Sequence, residues 1–471
     1  MKILLVLPAA EHVRVTRTER VPKRKMLRFS ILPLTVVAAL TPGKHTVEIC
    51  DENVMPLYFG TDADIVGITF MTALANRAYE IADRLRAKGK IVVAGGYHPT
   101  LCPEDAAPHF DALVIGDAED TWPQLLEDSE KGQLKKIYRS TMSFDLSNVP
   151  VPRRDLMSGI ARHYATANAI QTGRGCAHGC KFCSITAFYK KTHRQRPLAK
   201  VIEELKQIPR VFIFVDDNII GDREYAKELF RAMIPLKKYW VSQCSIEIAD
   251  DPELLKLARK AGCIGLFIGI ESISETNLNA VAKGFNSPAT FRERIRAIRN
   301  SGIGICSGMI VGMDKDDVTV FERTLNFLQK HRIDALQLNI LTPLPGTPLF
   351  EDFERKGRVI DHNWDHYDFR HVVIRPAQMK PQELQEGANW LISQYYQLDR
   401  IIVRTLRTLF TVGLLPAYLG WRLNMTYRHD VRHYAIVGRN PARQAKAKTT
   451  VATKILSLVR FLLARPTLVR R

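Results

Sequence analysis

The chain has 471 residues, of which 68 are lysine or arginine, 49 are aspartate or glutamate and eight are cysteine. Its length and its 46% hydrophobic content suffice for two or three domains with sizeable cores, which excludes a disordered protein. The apolar N-terminal segment lacks the charged leader and cleavage site of a secretory signal, and the cysteines suggest no disulfide framework. We therefore expect a globular protein of the reducing cytoplasm.

Strands alternate with helices over residues 1–145, which predicts an α/β domain with an open parallel sheet covered on both faces. The predicted strands are residues 2–8, 46–51, 65–70, 90–95 and 112–116, and a helix is predicted at 74–88. Ligands of such sheets bind outside the carboxyl ends of the strands. We therefore expect a ligand site at the turns 69–72, 95–99 and 116–119.

A proline-bearing linker is predicted at residues 146–165, and a second domain at 166–350 repeats strand and helix six times. Its predicted strands are residues 167–172, 211–217, 240–246, 264–271, 304–312 and 335–341. Six such repeats form a partial parallel barrel, whose chemistry belongs at the carboxyl ends of the strands. Residues 351–400 follow as a helical subdomain.

A cysteine loop follows the first strand of this barrel, with Cys176, Cys180 and Cys183 flanked by Gly175 and Gly179. Soft thiolates suit iron-sulfur sites, so three of them can hold three corners of a cubane cluster. The fourth iron then has no protein ligand and is open to a small chelating molecule. A zinc knuckle is less favoured, because no fourth cysteine or histidine stands at a suitable spacing.

This loop, with Phe182 before its last cysteine, resembles the signature of the radical S-adenosylmethionine enzymes. The resemblance implies a 4Fe-4S cluster that passes one electron to S-adenosylmethionine and yields a 5'-deoxyadenosyl radical. It also implies an electron donor such as flavodoxin or ferredoxin. By the same resemblance, S-adenosylmethionine contacts Phe182, Asp216, Asp217, Asn218, Glu271, Ser272, Gly308 and Gly312.

The turns of the N-terminal domain are similar to those of cobalamin-binding domains that precede the radical domain in one class of this family. The cobalamin contacts that this resemblance implies are Thr69, Gly95, Gly96, His98, Gly116 and Glu119. The loop that supplies a histidine to cobalt in some cobalamin proteins is absent after the first strand. We therefore expect no histidine ligand from that loop. The alternative is a sheet that has lost cobalamin and only docks on the barrel.

Residues 364–371 resemble a segment of cobalamin-type members that act on lipids and terpenoids, such as the hopanoid methylases. This implies substrate contacts at Tyr367, Arg370 and His371, and methylation of an unactivated carbon. Ring closure between two carbons and oxidation of a tetrapyrrole stay open. A tRNA methylthiotransferase is less favoured, because Cys50 and Cys102 are too few for the second cluster of those enzymes.

The C-terminal region, residues 401–471, holds fourteen lysine and arginine residues and one acidic residue, Asp430. The apolar segment 408–421 is too short to span a bilayer, and the apolar residues of 451–462 recur at helical spacing. We expect this region to hold the enzyme on an anionic membrane, at its inner face, with access to a hydrophobic substrate. A solvated appendage or contact with RNA are the alternatives.

Overall fold

The structure, a computed structural model, describes residues 1–15, 31–141, 144–164 and 168–433. The N-terminal strands are β1 (Lys2–Leu7), β2 (Thr46–Asp51), β3 (Ile65–Thr69), β4 (Ile91–Gly95), β5 (Ala112–Ile115) and β6 (Ile137–Arg139). They form one parallel sheet in the order β2-β1-β3-β4-β5-β6. The five predicted strands are confirmed to within one residue at each end. The edge strand β6 escaped prediction because only one of its three residues is buried.

Helices cover both faces of this sheet, as expected for parallel strands that are buried on both sides. The helices of this domain are α1 (Leu32–Leu40), α2 (Ala75–Arg86), α3 (Tyr97–Leu101), α4 (Pro103–Ala106) and α5 (Trp122–Glu130). On one face α2 packs through Ala78, Ile81 and Leu85. On the other face α1 and α5 pack through residues such as Leu34 and Leu125. The predicted linker is a series of 3-10 turns. Its Met157, Ile160 and Tyr164 pack into the core between this sheet and the helices α1 and α5.

The second domain is a six-stranded parallel sheet curved into a partial barrel. Its strands are β7 (Ala169–Ile170), β10 (Val211–Phe214), β11 (Tyr239–Cys244), β12 (Cys263–Glu271), β13 (Gly304–Val311) and β14 (Ala335–Ile340). Their order is β14-β13-β12-β11-β10-β7. All six predicted strands are confirmed, although β7 has only two residues and position 167 lies outside the described residues. An unpredicted antiparallel hairpin, β8 (Gly173–Gly175) and β9 (His193–Gln195), carries the cysteine loop.

Helices alternate with the strands of this domain and leave the inner face of the barrel accessible. They are α6 (Ser184–Tyr189), α7 (Leu198–Gln207), α8 (Arg223–Met233), α9 (Pro252–Lys260), α10 (Glu275–Ala280), α11 (Phe291–Asn300), α12 (Val320–Lys330) and α13 (Pro348–Arg355). Side chains of a strand alternate between its two faces. The inward set, which includes Val241, Gln243, Phe267, Gln337 and Asn339, keeps partial exposure while the outward set is buried. The inner face of the barrel therefore presents apolar and amide side chains.

The open edge of the barrel at β14 is covered by the chain that follows it. The backbone N–H of Ile340 donates to the carbonyl of Phe369 at 2.8 Å, and the Tyr396 hydroxyl bonds to the backbone of Leu336. Three helices complete the described chain: α14 (Pro381–Tyr395), α15 (Leu398–Thr411) and α16 (Leu414–His433). Covering the edge prevents its unpaired backbone groups from pairing with another chain.

Helices α15 and α16 form a hairpin that closes the amino-terminal end of the barrel. The amide of Asn424 donates to the carbonyl of Asp334 at 2.7 Å, and Leu419 packs so closely on Gly265 that a side chain there would collide with it. The part of the predicted C-terminal tail up to residue 433 thus packs on the barrel instead of standing apart from it. The periodic apolar residues of 451–462 lie outside the described residues. Within the described chain, no helix has the length and apolar character to cross a bilayer.

Candidate active site between the sheet domain and the barrel

The cysteine loop connects the first strand of the hairpin to helix α6. Cys176 follows β8 directly, and Cys183 is the residue that caps α6. Gly175 has φ of 85°, and a side chain at this position would overlap the carbonyl oxygen of Thr192. Only glycine adopts this conformation without strain. The three thiols have no disulfide partner, so all three are available as ligands.

Burial raises the pKa of each of the three thiols, and that of Cys180 reaches about 11. Backbone N–H groups of Thr186 and Ile185 oppose this effect at Cys183. Such a site disfavours uncompensated thiolates, and bound iron would supply the missing positive charge. Among the described residues, no three candidate ligands are close enough to hold a single metal ion. A 4Fe-4S cluster takes each thiolate on a separate iron.

Lys283 is a buried cation beside the loop that sequence analysis missed. Its ammonium group lies 2.6 Å from the carboxylate of Glu271 and 5.8 Å from the centre of the Phe182 ring. Its charge favours the ionised thiols of Cys180 and Cys183. Sequence could not predict the position of Lys283 beside the loop. It stands twelve residues after the end of β12, and only the tertiary fold places it next to the cysteines.

Asp216 and Asp217, in the turn that follows β10, tie the entrance of the loop to the barrel. The carboxylate of Asp216 accepts hydrogen bonds from the backbone N–H of Thr172 at 3.0 Å and of Gly173 at 2.7 Å, and burial raises its pKa to about 7. Asp217 accepts from the N–H of Gly175 at 2.9 Å, and burial raises its pKa to about 6. Asn218 accepts from the N–H of the residue after β11 at 3.0 Å. Of these three side chains, only that of Asp217 is partly exposed, and it lies beside the loop.

Residues at the ends of β12 and β13 lie at the carboxyl end of the barrel, as predicted. Glu271 has φ of 65° at a register shift between the two strands, and the Ser272 hydroxyl accepts a local backbone hydrogen bond. A side chain at Gly308 would come within 2.9 Å of the Phe267 ring. Gly312 is different, because a side chain there would meet α14 at 2.6 Å. Its small size therefore serves helix packing.

Four of the predicted cobalamin contacts meet at the carboxyl edge of the N-terminal sheet. The side chain of Thr69 lies beside Gly96, which has φ of 103°. The backbone of Gly95 follows the same turn, and the N–H of Gly116 donates to Thr100 at 3.0 Å. Glycines on adjacent turns allow a flat ligand to approach the backbone closely.

His98 is fully buried, at 0% exposure, and lies in a hydrogen-bond network instead of at that edge. Its ring nitrogens lie 2.9 Å from the Tyr79 hydroxyl and 3.2 Å from the Thr72 hydroxyl. The carboxylate of Asp105, 3.1 Å away, also accepts from the indole of Trp364. This histidine therefore joins the sheet domain to the subdomain after the barrel and has no open face for a ligand.

The turn after β5 binds the cysteine hairpin through ion pairs. Glu119 is buried and accepts both terminal N–H groups of Arg174, at 2.5 and 3.0 Å. Asp117 pairs with Arg174 at 3.0 Å and with Arg194 at 2.5 Å. The predicted cobalamin contact at Glu119 is thus occupied by protein. Sequence analysis did not predict this role for Arg174, although it stands two residues before Cys176.

Tyr97 places the edge of the sheet opposite the cysteine loop. Its ring lies 5.0 Å from that of Phe188 on α6. Burial raises the pKa of Tyr97 well above its usual value, and Tyr189, Asp217 and Cys183 add to this shift. Because Phe188 lies on the helix that Cys183 caps, the turn after β4 meets the cysteine loop at this contact.

The three predicted substrate contacts differ in accessibility. Tyr367 is 1% exposed, and its hydroxyl donates to the carbonyl of Asp361 at 3.0 Å. His371 lies 3.1 Å from the carboxylate of Asp368 and stacks on a second histidine. Only Arg370 has an exposed side chain. Tyr367 is therefore a packing residue of the subdomain and offers no surface to a substrate.

Comparison with known proteins gives concordant results for both domains. Residues 170–328 match the radical SAM superfamily, and residues 32–126 match the B12 binding domain. Bacteriochlorophyllide d C-12(1)-methyltransferase of Chlorobaculum tepidum is 32% identical over 79% of this chain and 84% of that enzyme. Hopanoid C-2 methylase of Rhodopseudomonas palustris is 30% identical over 71% of this chain and 67% of that enzyme.

Two solved structures share the fold. The radical S-adenosylmethionine methyltransferase TsrM from Kitasatospora setae, with cobalamin and a 4Fe-4S cluster bound, has a TM-score of 0.65 at 16% identity and covers 92% of this chain and 99% of its own. The cobalamin-dependent S-adenosylmethionine radical enzyme OxsB, with aqua-cobalamin and S-adenosylmethionine bound, has a TM-score of 0.64 at 16% identity. The match covers 98% of this chain and 75% of OxsB. Both support the predicted two-domain architecture.

The chain belongs to the radical S-adenosylmethionine enzymes that carry a B12-binding domain. Within that class its relatives include methyltransferases, and the chain is a radical S-adenosylmethionine enzyme. Its cofactors are a 4Fe-4S cluster, S-adenosylmethionine and cobalamin. The predictions of fold class, enzyme class and cofactors are thereby confirmed.

Proposed function

We propose that this enzyme methylates an unactivated carbon of a lipid or terpenoid. The observation that carries the proposal is the position of Tyr97, which sets the edge of the B12-binding sheet against the cysteine loop. A cavity shared by both cofactor sites is what transfer of a methyl group to a radical carbon requires. The relative that methylates hopanoids supports the choice of substrate.

In this proposal Cys176, Cys180 and Cys183 hold the cluster, and Lys283 with Glu271 balances charge beside it. When bound, the cluster and S-adenosylmethionine supply a radical that removes hydrogen from carbon, and cobalamin supplies a methyl carrier. S-adenosylmethionine contacts the open strand ends through Phe182, Asp217, Glu271, Ser272 and Gly308.

Cobalamin rests on the turns at Thr69, Gly95, Gly96 and Gly116. The substrate enters the barrel, where Phe267 and Val241 offer apolar contacts and Gln337 and Asn339 orient any polar group. Side chains of this kind exclude water from a radical on carbon. Arg370, at the exposed end of the subdomain, is a candidate contact for the polar end of the substrate.

Two partners complete the proposal. A small electron carrier, flavodoxin or ferredoxin, reduces the cluster, and an anionic membrane surface holds the enzyme at the inner face of the membrane. Membrane association is supported by the basic C-terminal region and by three exposed apolar residues at its start, Phe410, Leu414 and Tyr418.

A tetrapyrrole substrate is the second candidate. The observation that favours it is the 32% identity to a methyltransferase of bacteriochlorophyllide d. The two substrate classes differ in visible absorbance, so extracts from one incubation distinguish them.

The test is anaerobic reconstitution with and without hydroxocobalamin, followed by mass spectrometry of lipid and pigment extracts from a host that expresses the protein. We expect a lipid that gains fourteen mass units only when cobalamin is present. Cys180→Ala should abolish cluster absorbance and cleavage of S-adenosylmethionine, whereas Cys102→Ala, a cysteine outside the loop, should retain both. A methylated pigment would favour the second candidate, and methylation without cobalamin would reject the proposal.

A further inference from the structure

A cationic groove lies on the outside of the barrel, away from the cofactor sites. It runs between α11 and the carboxyl end of α12, has a volume of about 390 Å³ and is also lined by Thr411 at the end of α15. Its charged and titratable lining residues are Arg292, Arg296, Arg299, Lys330, His331 and Arg332.

The positive charge of this groove is mostly uncompensated. Arg299 pairs with the carboxylate of Asp334 at 2.5 Å. The other four permanent cations have no acidic group of the described chain within 4.0 Å; they are Arg292, Arg296, Lys330 and Arg332. The neighbouring Arg407 has a lowered pKa because of burial and of Arg332, Arg299 and Arg404, and the pKa of His331 is lowered by burial, Lys330 and Arg292. A groove of this charge attracts an anion such as a phosphate.

An exposed apolar tip adjoins the groove, beginning at the residue next to Thr411. The tip is the turn of the α15–α16 hairpin, where Gly413 has φ of 135°. Phe410, Leu414 and Tyr418 are exposed to 69%, 70% and 57%. Exposed apolar side chains beside a cationic surface are typical of proteins that bind at the interface of an anionic bilayer.

We propose that the groove binds phosphate headgroups of an anionic phospholipid bilayer while the hairpin tip inserts among the acyl chains. This inference rests on the membrane association proposed above and assigns it to folded residues. A nucleic acid would satisfy the cations equally well, but it would leave the aliphatic side chain of Leu414 in water. The joint presence of both features favours the bilayer.

The position of this surface has a consequence for the orientation of the enzyme. The hairpin packs on Gly265 and Gly304 at the amino ends of β12 and β13, whereas the cysteine loop lies at the carboxyl ends. Docking through the hairpin leaves the cofactor end free for the electron carrier. It also means that the bilayer does not open directly into the barrel, so the substrate has to leave the bilayer to reach it.

The test is flotation of the full-length reconstituted enzyme with vesicles of phosphatidylcholine alone or mixed with phosphatidylglycerol. We expect wild type to float with the mixed vesicles. Arg296→Glu with Arg332→Glu should weaken the partition coefficient at least about tenfold, because each basic residue near an anionic surface contributes on the order of 1 kcal/mol. The matched control reverses two exposed lysines elsewhere, Lys88→Glu with Lys200→Glu, and should lose less.

The tip is tested separately by Phe410→Ser with Leu414→Ser, against Val318→Ser at another exposed apolar site. The tip variant should float less than wild type and the control should float equally. Cluster absorbance and cleavage of S-adenosylmethionine, measured in every variant, should stay at the wild-type level because the surface is remote from the loop.

The outcomes separate the two proposals. If wild type does not float, the membrane association itself is wrong. If wild type floats and the groove variant floats to the same extent as the lysine control, the groove assignment is overturned. Membrane association then still stands. A groove variant that loses affinity for single-stranded RNA but keeps its affinity for vesicles would also overturn it.

Discussion

At the scale of the residue, the site depends on buried carboxylates that bind backbone groups. Asp316 is an example outside the predicted set, since it accepts from the N–H groups of Gly312 and Met313, each at 3.0 Å, and from the amide of Asn277 at 2.8 Å. Burial outweighs these bonds and raises its pKa from 3.8 to about 6. The carboxylate thus costs stability when it ionises.

This shift predicts a pH dependence of stability with a definite sign. Between pH 4 and pH 6 folded Asp316 keeps a proton that the unfolded chain has released, so stability falls as the pH rises through this window. Relative to Asp316→Asn, wild type should lose on the order of 1 kcal/mol between pH 5 and pH 7. Melting temperatures of the two proteins across this range measure the difference.

The neighbouring Asp317 provides the control. It is only half-buried, and its pKa is lowered by hydrogen bonds from the side chain and backbone of Thr319. It therefore titrates below pH 4, and the difference between wild type and Asp317→Asn should stay constant from pH 5 to pH 7. A constant difference for Asp316→Asn as well would contradict the assigned pKa.

At the scale of the element, the β8–β9 hairpin is held by Arg174 between two carboxylates of the sheet domain. Arg174→Met should lower the unfolding free energy by about 3–5 kcal/mol, because it leaves Asp117 and Glu119 buried with less compensation. The loosened loop should also retain less cluster. Thermal unfolding and cluster absorbance after reconstitution measure the two effects.

An exposed arginine gives the comparison. Arg153 pairs with Asp155 at the surface, and surface pairs contribute about 0–1 kcal/mol. Arg153→Met should therefore melt close to wild type. Equal melting temperatures for Arg174→Met and Arg153→Met would show that the hairpin does not depend on these ion pairs.

The α15–α16 hairpin predicts the result of two truncations. A chain that ends at His433 retains every described contact and should keep its cluster absorbance. A chain that ends at Tyr395 exposes the amino ends of β12 and β13 and loses the bond between Thr408 and Asp334, so it should aggregate. Size-exclusion chromatography distinguishes the two. A monodisperse protein that ends at Tyr395 would contradict the assigned role of the hairpin.

At the scale of the whole molecule, sequence predicted what is local. The cysteine loop and the buried strands were visible because close spacing and apolar runs determine them. His98 was assigned to the ligand edge because its turn resembles a binding turn, whereas its partners Tyr79 and Trp364 are distant in sequence. The tertiary fold also decides that Glu119 meets Arg174 and that the chain after residue 400 closes the barrel. No local pattern encodes these pairings.

The central claim is that three thiolates hold a cluster with one iron open to S-adenosylmethionine. The most direct test is electron paramagnetic resonance of the anaerobically reduced, reconstituted enzyme with and without S-adenosylmethionine. We predict a 4Fe-4S signal whose g-values shift when S-adenosylmethionine is added and which is absent in Cys180→Ala. A signal that does not respond to S-adenosylmethionine, or that survives the loss of Cys180, would contradict the account.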